Sequence, residues 1–299
     1  MPLPPATSPS GRVAGNDSWD RQLVPFIAAA GTPTGRPATW RDFCDRLHAN
    51  LLQRWLPPTT TGRALKTDLF DEAAGEGLCE LLAQRADQVV GTDVSLAVAR
   101  AVTGAPTGDP AGDPAGAATG AVDRPTRRVN ATLCDVRRLA FADGSFDIVV
   151  SNSTLDHFAL RSDITVALAE IHRVTRPGGV LVVTLDNPRH PLVAARTLLP
   201  ARLLRALGLQ PYYVGATMSL PRLVATLESL GWVVDDTTTM MHTLRVAAIP
   251  ACTRLDRVGP GGTAARRRLT AVMAASELLG RLPTRQFTGH YVAVKAVRA

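Results

Sequence analysis

The sequence predicts an α/β fold: seven strands, mostly parallel, in a doubly wound order with helices on both faces, preceded by helices near the N-terminus. Three observations lead there. From about Arg63 short apolar runs alternate with amphipathic segments, the pattern of a parallel sheet covered by helices. A glycine pair, Gly75 and Gly77, stands between the first run and an apolar helical segment. At 299 residues and 45% hydrophobic content, the chain can bury one substantial core with appendages.

Taken in order, residues 1–17 are rich in Pro, Ser and Gly and are expected to form a disordered tail without a secretion signal. Residues 18–60 are expected to form a helical cap. In its second helix Trp40, Phe43, Leu47, Leu51 and Trp55 recur at helical spacing, and Pro57 and Pro58 end it. Packing against the main domain accounts for this stripe, and a lid over a pocket is compatible with it. The main domain spans 61–299. It opens with "ALKTDLF" as a strand, "GLCELLAQRA" as a helix and "QVVGTDVS" as a strand, and "SLAVARAV" then begins another helix. Residues 103–127 repeat Gly, Pro, Ala and Asp without a hydrophobic period, an exposed insertion between a helix and the next strand. The alternation resumes with "NATLCDVRRLAF" and "FDIVVSNSTL", a helix capped by Ser162, the stop "RPGG" and the strand "GVLVVTLDN". A helix after Ser219, the run "WVVDDTTTMMHTLRV", an apolar helix near "AVMAASELL" and a last strand "GHYVAVKAV" complete the domain.

Several classes are excluded by composition. Nowhere do eighteen consecutive apolar residues occur, so no membrane span is expected. The four cysteines, Cys44, Cys79, Cys134 and Cys252, show neither metal-ligand spacing nor a disulfide framework, which fits reduced thiols in a cytoplasm. Net charge is +7, carried almost wholly by Arg, but aromatics are 5% and no basic stripe is interleaved with them; a nucleic-acid partner is not expected.

Three motifs carry the chemistry. "DEAAGEG" places Asp71 ahead of small residues at every second position, Ala73, Gly75 and Gly77, where backbone can approach a ligand closely. An ordinary strand-to-helix turn has the same composition. "VVGTDVS" ends a strand in Asp93, sixteen residues after Gly77, where a carboxylate can accept from both ribose hydroxyls. Together these indicate an adenosine compound. In the third, "CDVRRLAFADGSFDIVVSNSTLDHF", an acid ends one strand and "DGSFD" leads into another.

With this third motif the chain resembles the class I S-adenosylmethionine-dependent methyltransferases, and the likeness continues through "EIHRVTRPGGVLVVTLDN", covering roughly Ala64 to Asn187. The resemblance implies a Rossmann-like fold, S-adenosylmethionine as cofactor and methylation of a small organic acceptor. It assigns Asp71 to the methionine ammonium, Gly75 and Gly77 to the methionine and ribose, Asp93 to the ribose hydroxyls and Asp135 to the adenine amino group. Ala73, Val94 and Val136 join these cofactor contacts, and Asn152 borders the methionine end. A cationic sulfonium and ammonium suit a loop crowded by Asp71, Glu72 and Glu76, which would repel a diphosphate.

The loop departs from the family pattern: Ala73 stands at the first Gly place, Lys66, Thr67 and Asp68 are polar within the strand and need partners, and Asp68 rivals Asp71. Two alternatives follow, a non-catalytic partner subunit of the same fold and an NAD-dependent oxidoreductase. If the acceptor is a hydroxyl, a histidine base would assist. His157, just past the fourth strand, is the first candidate, although capping a turn or packing the strand-to-helix junction is the commoner role there; His190 is the second, and a turn made rigid by Pro188 and Pro191 explains it equally well. His242 fits strand packing and His172 a solvent-facing helix position. Tyr212, Tyr213 and Met218 are candidates for an acceptor pocket. The acceptor atom and the oligomeric state are left open.

Overall fold

The computed structural model describes residues 24, 37–58, 61–74, 77–104, 129–199 and 215–299. The tail at 1–17, the first cap helix, Gly75, Glu76, most of the insertion, Tyr212 and Tyr213 lie outside them. Seven strands form one sheet: β1 (Thr61–Lys66), β2 (Ala86–Asp93), β3 (Val129–Leu133), β4 (Phe146–Asn152), β5 (Thr175–Asp186), β6 (Trp232–Met240) and β7 (Tyr291–Arg298). Their order is β3-β2-β1-β4-β5-β7-β6, parallel except for β7, which runs antiparallel to both neighbours. Leu65 of β1 sits between Val90 of β2 and Val149 of β4. The chain winds outward from β1 to β3 and then returns to β4. A crevice is thus left at the carboxyl ends of β1 and β4, where such sheets bind ligands.

Ten helices accompany the strands among the described residues: α1 (Ala38–Trp55), α2 (Phe70–Ala74), α3 (Cys79–Ala83), α4 (Leu96–Thr103), α5 (Arg161–Val174), α6 (Pro191–Leu198), α7 (Leu220–Ser229), α8 (Arg245–Arg257), α9 (Thr263–Ser276) and α10 (Arg285–Thr288). On one sheet face Ile164, Leu168 and Ile171 of α5 and Leu223 and Leu227 of α7 pack with Val149, Leu181 and Val183. On the other, Leu51 and Leu52 of α1, Leu82 and Val98 pack with Ile148, Val150 and Val182. Trp40 and Phe43 extend α1 onto Ala248, Cys252 and Met273. The stripe read from the sequence therefore buries as a packing face, with Leu47 at its half-buried margin.

Several boundaries differ from expectation. β1 stops at Lys66 and α2 begins at Phe70, so Asp71 lies in a short helix and not at a strand end. The predicted helix after Gly77 contracts to α3, because Ala86 already belongs to β2. β3 ends at Leu133, before Asp135. α5 starts at Arg161 with Leu160 as its cap, displacing Ser162 into the first turn. "RPGG" falls inside the irregular start of β5, where Gly178 takes φ 74°. β6 ends at Met240; Met241 turns the chain at φ 59°, so His242 is a turn residue bonded near Thr288 and Thr239, not a strand residue. His172 is half-buried, edge-on to Trp232 at 5.2 Å between centroids, and not solvent-facing. α8 went unanticipated because Pro250 interrupts its pattern, a residue that normally ends a helix.

Gly77 has φ 63°, and a Cβ there would collide with Glu72 Oε1. Gly77→Ala is expected to lower stability by about 1–3 kcal/mol, from backbone strain and displacement of that carboxylate. A urea unfolding midpoint equal to the parent's would refute this.

Candidate active site

β1 carries a lysine into the core: Lys66 is 0% exposed. Its Nζ lies 2.9 Å from Glu72 Oε2 and also donates to the Asp68 carbonyl. Glu72 Oε1 accepts from the Leu78 N–H at 2.8 Å, so one carboxylate joins β1, α2 and the approach to α3. Burial alone would pull the lysine pKa down; Glu72, with Asp68 behind it, outweighs burial and holds the ammonium above the usual lysine range. The other polar residues of this run also find partners. Thr67 Oγ1 is 3.0 Å from Ser151 Oγ and 3.1 Å from Thr154 Oγ1. Asp68 Oδ1 accepts from Phe70 N–H at 2.9 Å, capping α2.

Asp93 closes β2 at 7% exposure. Its Oδ2 accepts from Leu69 N–H at 3.1 Å and its Oδ1 from Ser95 N–H at 2.8 Å, clamping the β1 loop to the end of β2. Burial raises its pKa. A carboxylate offers about four lone-pair positions, so the two bonds leave capacity for a ribose diol. Asp135 lies just beyond β3, where Arg137 donates to it from Nη2 at 2.6 Å and from Nε at 3.1 Å. A ligand amino group there would share the carboxylate with that guanidinium. Asn152 ends β4, and its Oδ1 accepts from Thr184 Oγ1 at 2.9 Å; Ser153 next to it takes φ 52°.

The crevice thus brings together Asp71, Asp93 and the end of β4. It does not gather every candidate. Ala73 is 2% exposed within the apolar core, Val136 is buried in the opposite core cluster, and Val94 is half-buried beside Asp93. Met218 belongs to the core, where Thr226 Oγ1 reaches its Sδ at 3.9 Å, rather than to an acceptor pocket.

Acidic groups crowd this end of the sheet. Burial, then Asp71, Glu72 and Asp42, push Asp45 of α1 up to about 7. Asp68 is raised to about 8 by burial, with Asp93 and Asp71 adding to it against the pull of Lys66. These carboxyls hold protons that a cationic guest would displace.

The histidines divide by their partners. His157 occupies a 3-10 turn after β4, its Nε2 4.0 Å from Asp156 Oδ1. Asp156 is buried, and burial together with Asp186 raises its pKa. His190 caps α6, its Nδ1 accepting from Leu192 N–H at 3.3 Å, so that lone pair is occupied. Burial, then His290 and Arg245, lower its pKa to about 4. Sequence reasoning missed His48, Asp186 and His290. Asp186 ends β5, bound by Arg196 at 2.6 Å and with His290 at 3.4 Å; these two hold its carboxyl well below the usual range although burial opposes them. His48 offered a signal: it lies four residues after Cys44 and three before Leu51, on the buried face of α1.

Comparisons with known proteins find methyltransferases among those this chain is similar to. The family described as a methyltransferase domain matches residues 71–183, from the β1 loop into β5. A demethylmenaquinone methyltransferase of a Parafrankia species is 41% identical over 140 residues, 46% of this chain and 54% of that protein. An uncharacterised protein of Escherichia coli K12, YafE, is 42% identical over 55 residues, 18% of this chain and 25% of its own length. The chain thus spans about half or less of these curated relatives. Among solved structures, a Haemonchus contortus phosphoethanolamine N-methyltransferase 2 bound to S-adenosylmethionine has TM-score 0.58 at 19% identity, covering 97% of this chain and 61% of that one. The [4+2]-cyclase SpnF also has TM-score 0.58, at 18% identity, covering 97% of each chain. Together, the sheet order and the methyltransferase-domain match that threads its switch point support a class I S-adenosylmethionine-dependent methyltransferase.

Proposed function

We propose that the chain transfers a methyl group from S-adenosylmethionine to a small organic acceptor in a biosynthetic reaction, in the cytoplasm. The observation that carries this reading is the convergence of Asp45, Asp68, Asp71 and Asp93 on the ends of β1 and β2. In their ionised forms these carboxylates attract a sulfonium and an ammonium and oppose a diphosphate. Asp93 would hold the ribose, Asp71 the ammonium side, and Asp135 the adenine amino group in competition with Arg137. When bound, the cofactor supplies an already activated methyl. The chain's residues therefore need chiefly to position the acceptor in line and exclude water. A small molecule, not a nucleic acid, fits the scarcity of aromatics.

Calorimetric titration with S-adenosylmethionine and S-adenosylhomocysteine tests the cofactor; no heat from either would overturn the reading. Fluorescence titration with NADH separates it from an oxidoreductase. Methyl acceptance by 1,4-dihydroxynaphthalene, a probe suggested by the Parafrankia relative's name, tests the chemistry.

The raised carboxyls add a pH dependence. Free protein holds protons on Asp45 and Asp68 up to about 7 and 8, and a cationic cofactor favours their ionised forms. Affinity for S-adenosylmethionine is expected to rise from pH 6 to pH 9, with proton release on binding. Calorimetry in two buffers of different ionisation enthalpy checks this; identical heats and a flat affinity would contradict it.

A second reading, a non-catalytic or differently catalytic member of the fold, is favoured by the Glu72 carboxylate seated under Gly77 and by the same fold in a cyclase. Tight cofactor binding without transfer to any acceptor would support it.

A further inference from the structure

The helical segment between β6 and β7 carries most of the chain's charge. From Leu244 to Thr288 it holds eight arginines against two acids, Asp256 and Glu277, a net +6 out of +7. Both acids turn inward. Asp256 accepts from Thr39 of α1, and Glu277 accepts from the Met241 and His242 N–H groups at 3.1 and 2.8 Å. Two arginines are also engaged: Arg245 lies over the Trp40 ring, and Arg266 donates to the Gly259 carbonyl at 2.9 Å. The other six, Arg254, Arg257, Arg267, Arg268, Arg281 and Arg285, are exposed, and none pairs with a carboxylate among the described residues.

The same surface is rich in apolar side chains. Of fourteen exposed large apolar residues among those described, seven lie between Leu244 and Phe287; Val272 is 67% exposed, Leu278 56% and Phe287 50%. Helix packing fixes the outward direction. Cys252 of α8 and Met273 of α9 meet at 4.0 Å between sulfurs and pack with Trp40 and Phe43 of α1. Helical spacing then puts Arg254 and Arg257, and Arg267, Arg268 and Val272, on the sides of α8 and α9 turned away from that core.

We propose that this surface docks on an anionic phospholipid bilayer. Six unpaired guanidiniums attract acidic headgroups, and their stems, with Val272, Leu278 and Phe287, enter the headgroup boundary. A fluid surface accepts scattered aliphatic side chains without a matching groove. A second copy of this face would be repelled by its own charge. Nucleic acid would gain little from valines and leucines, and Phe287 is the segment's one aromatic residue for stacking. No described helix is long and apolar enough to cross a membrane, so the contact is peripheral. Asn187, directly after β5, donates to the Gln286 and Gly289 carbonyls at 2.7 and 2.8 Å, so the docked face adjoins the end of the sheet where Asp93 and Asn152 stand. The docking is independent of the methyl-transfer reading.

Flotation of the full chain with vesicles of phosphatidylcholine alone, and of phosphatidylcholine with phosphatidylglycerol, tests the proposal at low and high salt. Binding to the phosphatidylglycerol vesicles is expected to exceed binding to phosphatidylcholine at least about tenfold at low salt and to weaken as salt is added. Arg267→Gln with Arg268→Gln should lower vesicle affinity about 20- to 30-fold, at about fivefold per arginine. Val272→Ser with Leu278→Ser and Phe287→Ser should lower it at least about tenfold through lost apolar contact. Thermal unfolding and S-adenosylhomocysteine titration of both variants should match the parent, which isolates the loss to docking. Equal binding to the two vesicle types, no binding to either, or parental vesicle affinity in both variants overturns the proposal. Tighter binding of a single-stranded oligonucleotide than of phosphatidylglycerol vesicles, lost in the arginine variant and kept in the serine variant, overturns it in favour of a nucleic-acid surface.

Discussion

Asp93→Ala is expected to weaken S-adenosylmethionine binding about 100-fold and to destabilise the fold as well. Two effects combine. The carboxylate would make two charge-assisted bonds to ribose hydroxyls, each worth about 1.5–3 kcal/mol, and a combined loss near 3 kcal/mol is about two decades of affinity. The same oxygens satisfy the Leu69 and Ser95 N–H groups, both in buried positions. Alanine orphans them at about 1–3 kcal/mol each. Loss of the Leu69 bond also frees the loop that carries Asp68 and Asp71, so part of the affinity loss arises through positioning. Asp93→Asn separates the contributions: its amide oxygen can still accept from one N–H, but its NH₂ group confronts the other. Calorimetry and urea unfolding on both variants check the argument. An Asp93→Ala protein that folds and binds within threefold of the parent would show that the ribose is held elsewhere.

The sheet could be read from the sequence because its signals are local. Strands such as "FDIVV" and "GVLVV" are nearly unbroken apolar runs, and the low-complexity insertion marks itself by composition. Asp93 was legible for the same reason, ending such a run at a fixed distance from the glycines. The β1 loop was not, because its structure depends on a contact between residues six apart whose burial no periodicity reveals. Lys66 read as a strand residue in need of a partner and Glu72 as one of the loop's acids, with nothing to pair them, yet together they form the floor beneath the turn. That floor explains why Asp71 falls in a helix and why Ala73 turns into the core. His48 was overlooked for a different reason: an imidazole on an apolar stripe is compatible with simple packing, and its burial against β4 and β5 becomes visible only in the fold. Between β6 and β7, α8 was masked by Pro250, whereas the apolar end of α9, within "AVMAASELL", was legible and only its alanine- and arginine-rich start was not.

Lys66→Met is expected to cost about 3–5 kcal/mol of stability, because it strands the Glu72 carboxylate in the core without its counter-charge. Most of that cost is the penalty of an unpaired buried ion and not the intrinsic worth of the pair. It follows that the second substitution should restore what the first removes. Glu72→Gln preserves an oxygen for the Leu78 N–H while removing the charge, so Lys66→Met with Glu72→Gln should recover to within about 1–2 kcal/mol of the parent. Denaturant unfolding of the four proteins in this cycle measures the coupling directly. A single Lys66→Met protein as stable as the parent, or a double variant no better than the sum of its parts, would mean that the pair is not mutually compensating. The double variant also bears on function. Removing one positive and one negative charge leaves the net charge of the crevice unchanged, so the field from Asp45, Asp68, Asp71 and Asp93 persists. If the loop serves only as a scaffold for that field, S-adenosylmethionine should bind the double variant nearly as well as the parent; if the ammonium of Lys66 itself shapes the site through Asp68, affinity should fall even where stability has returned.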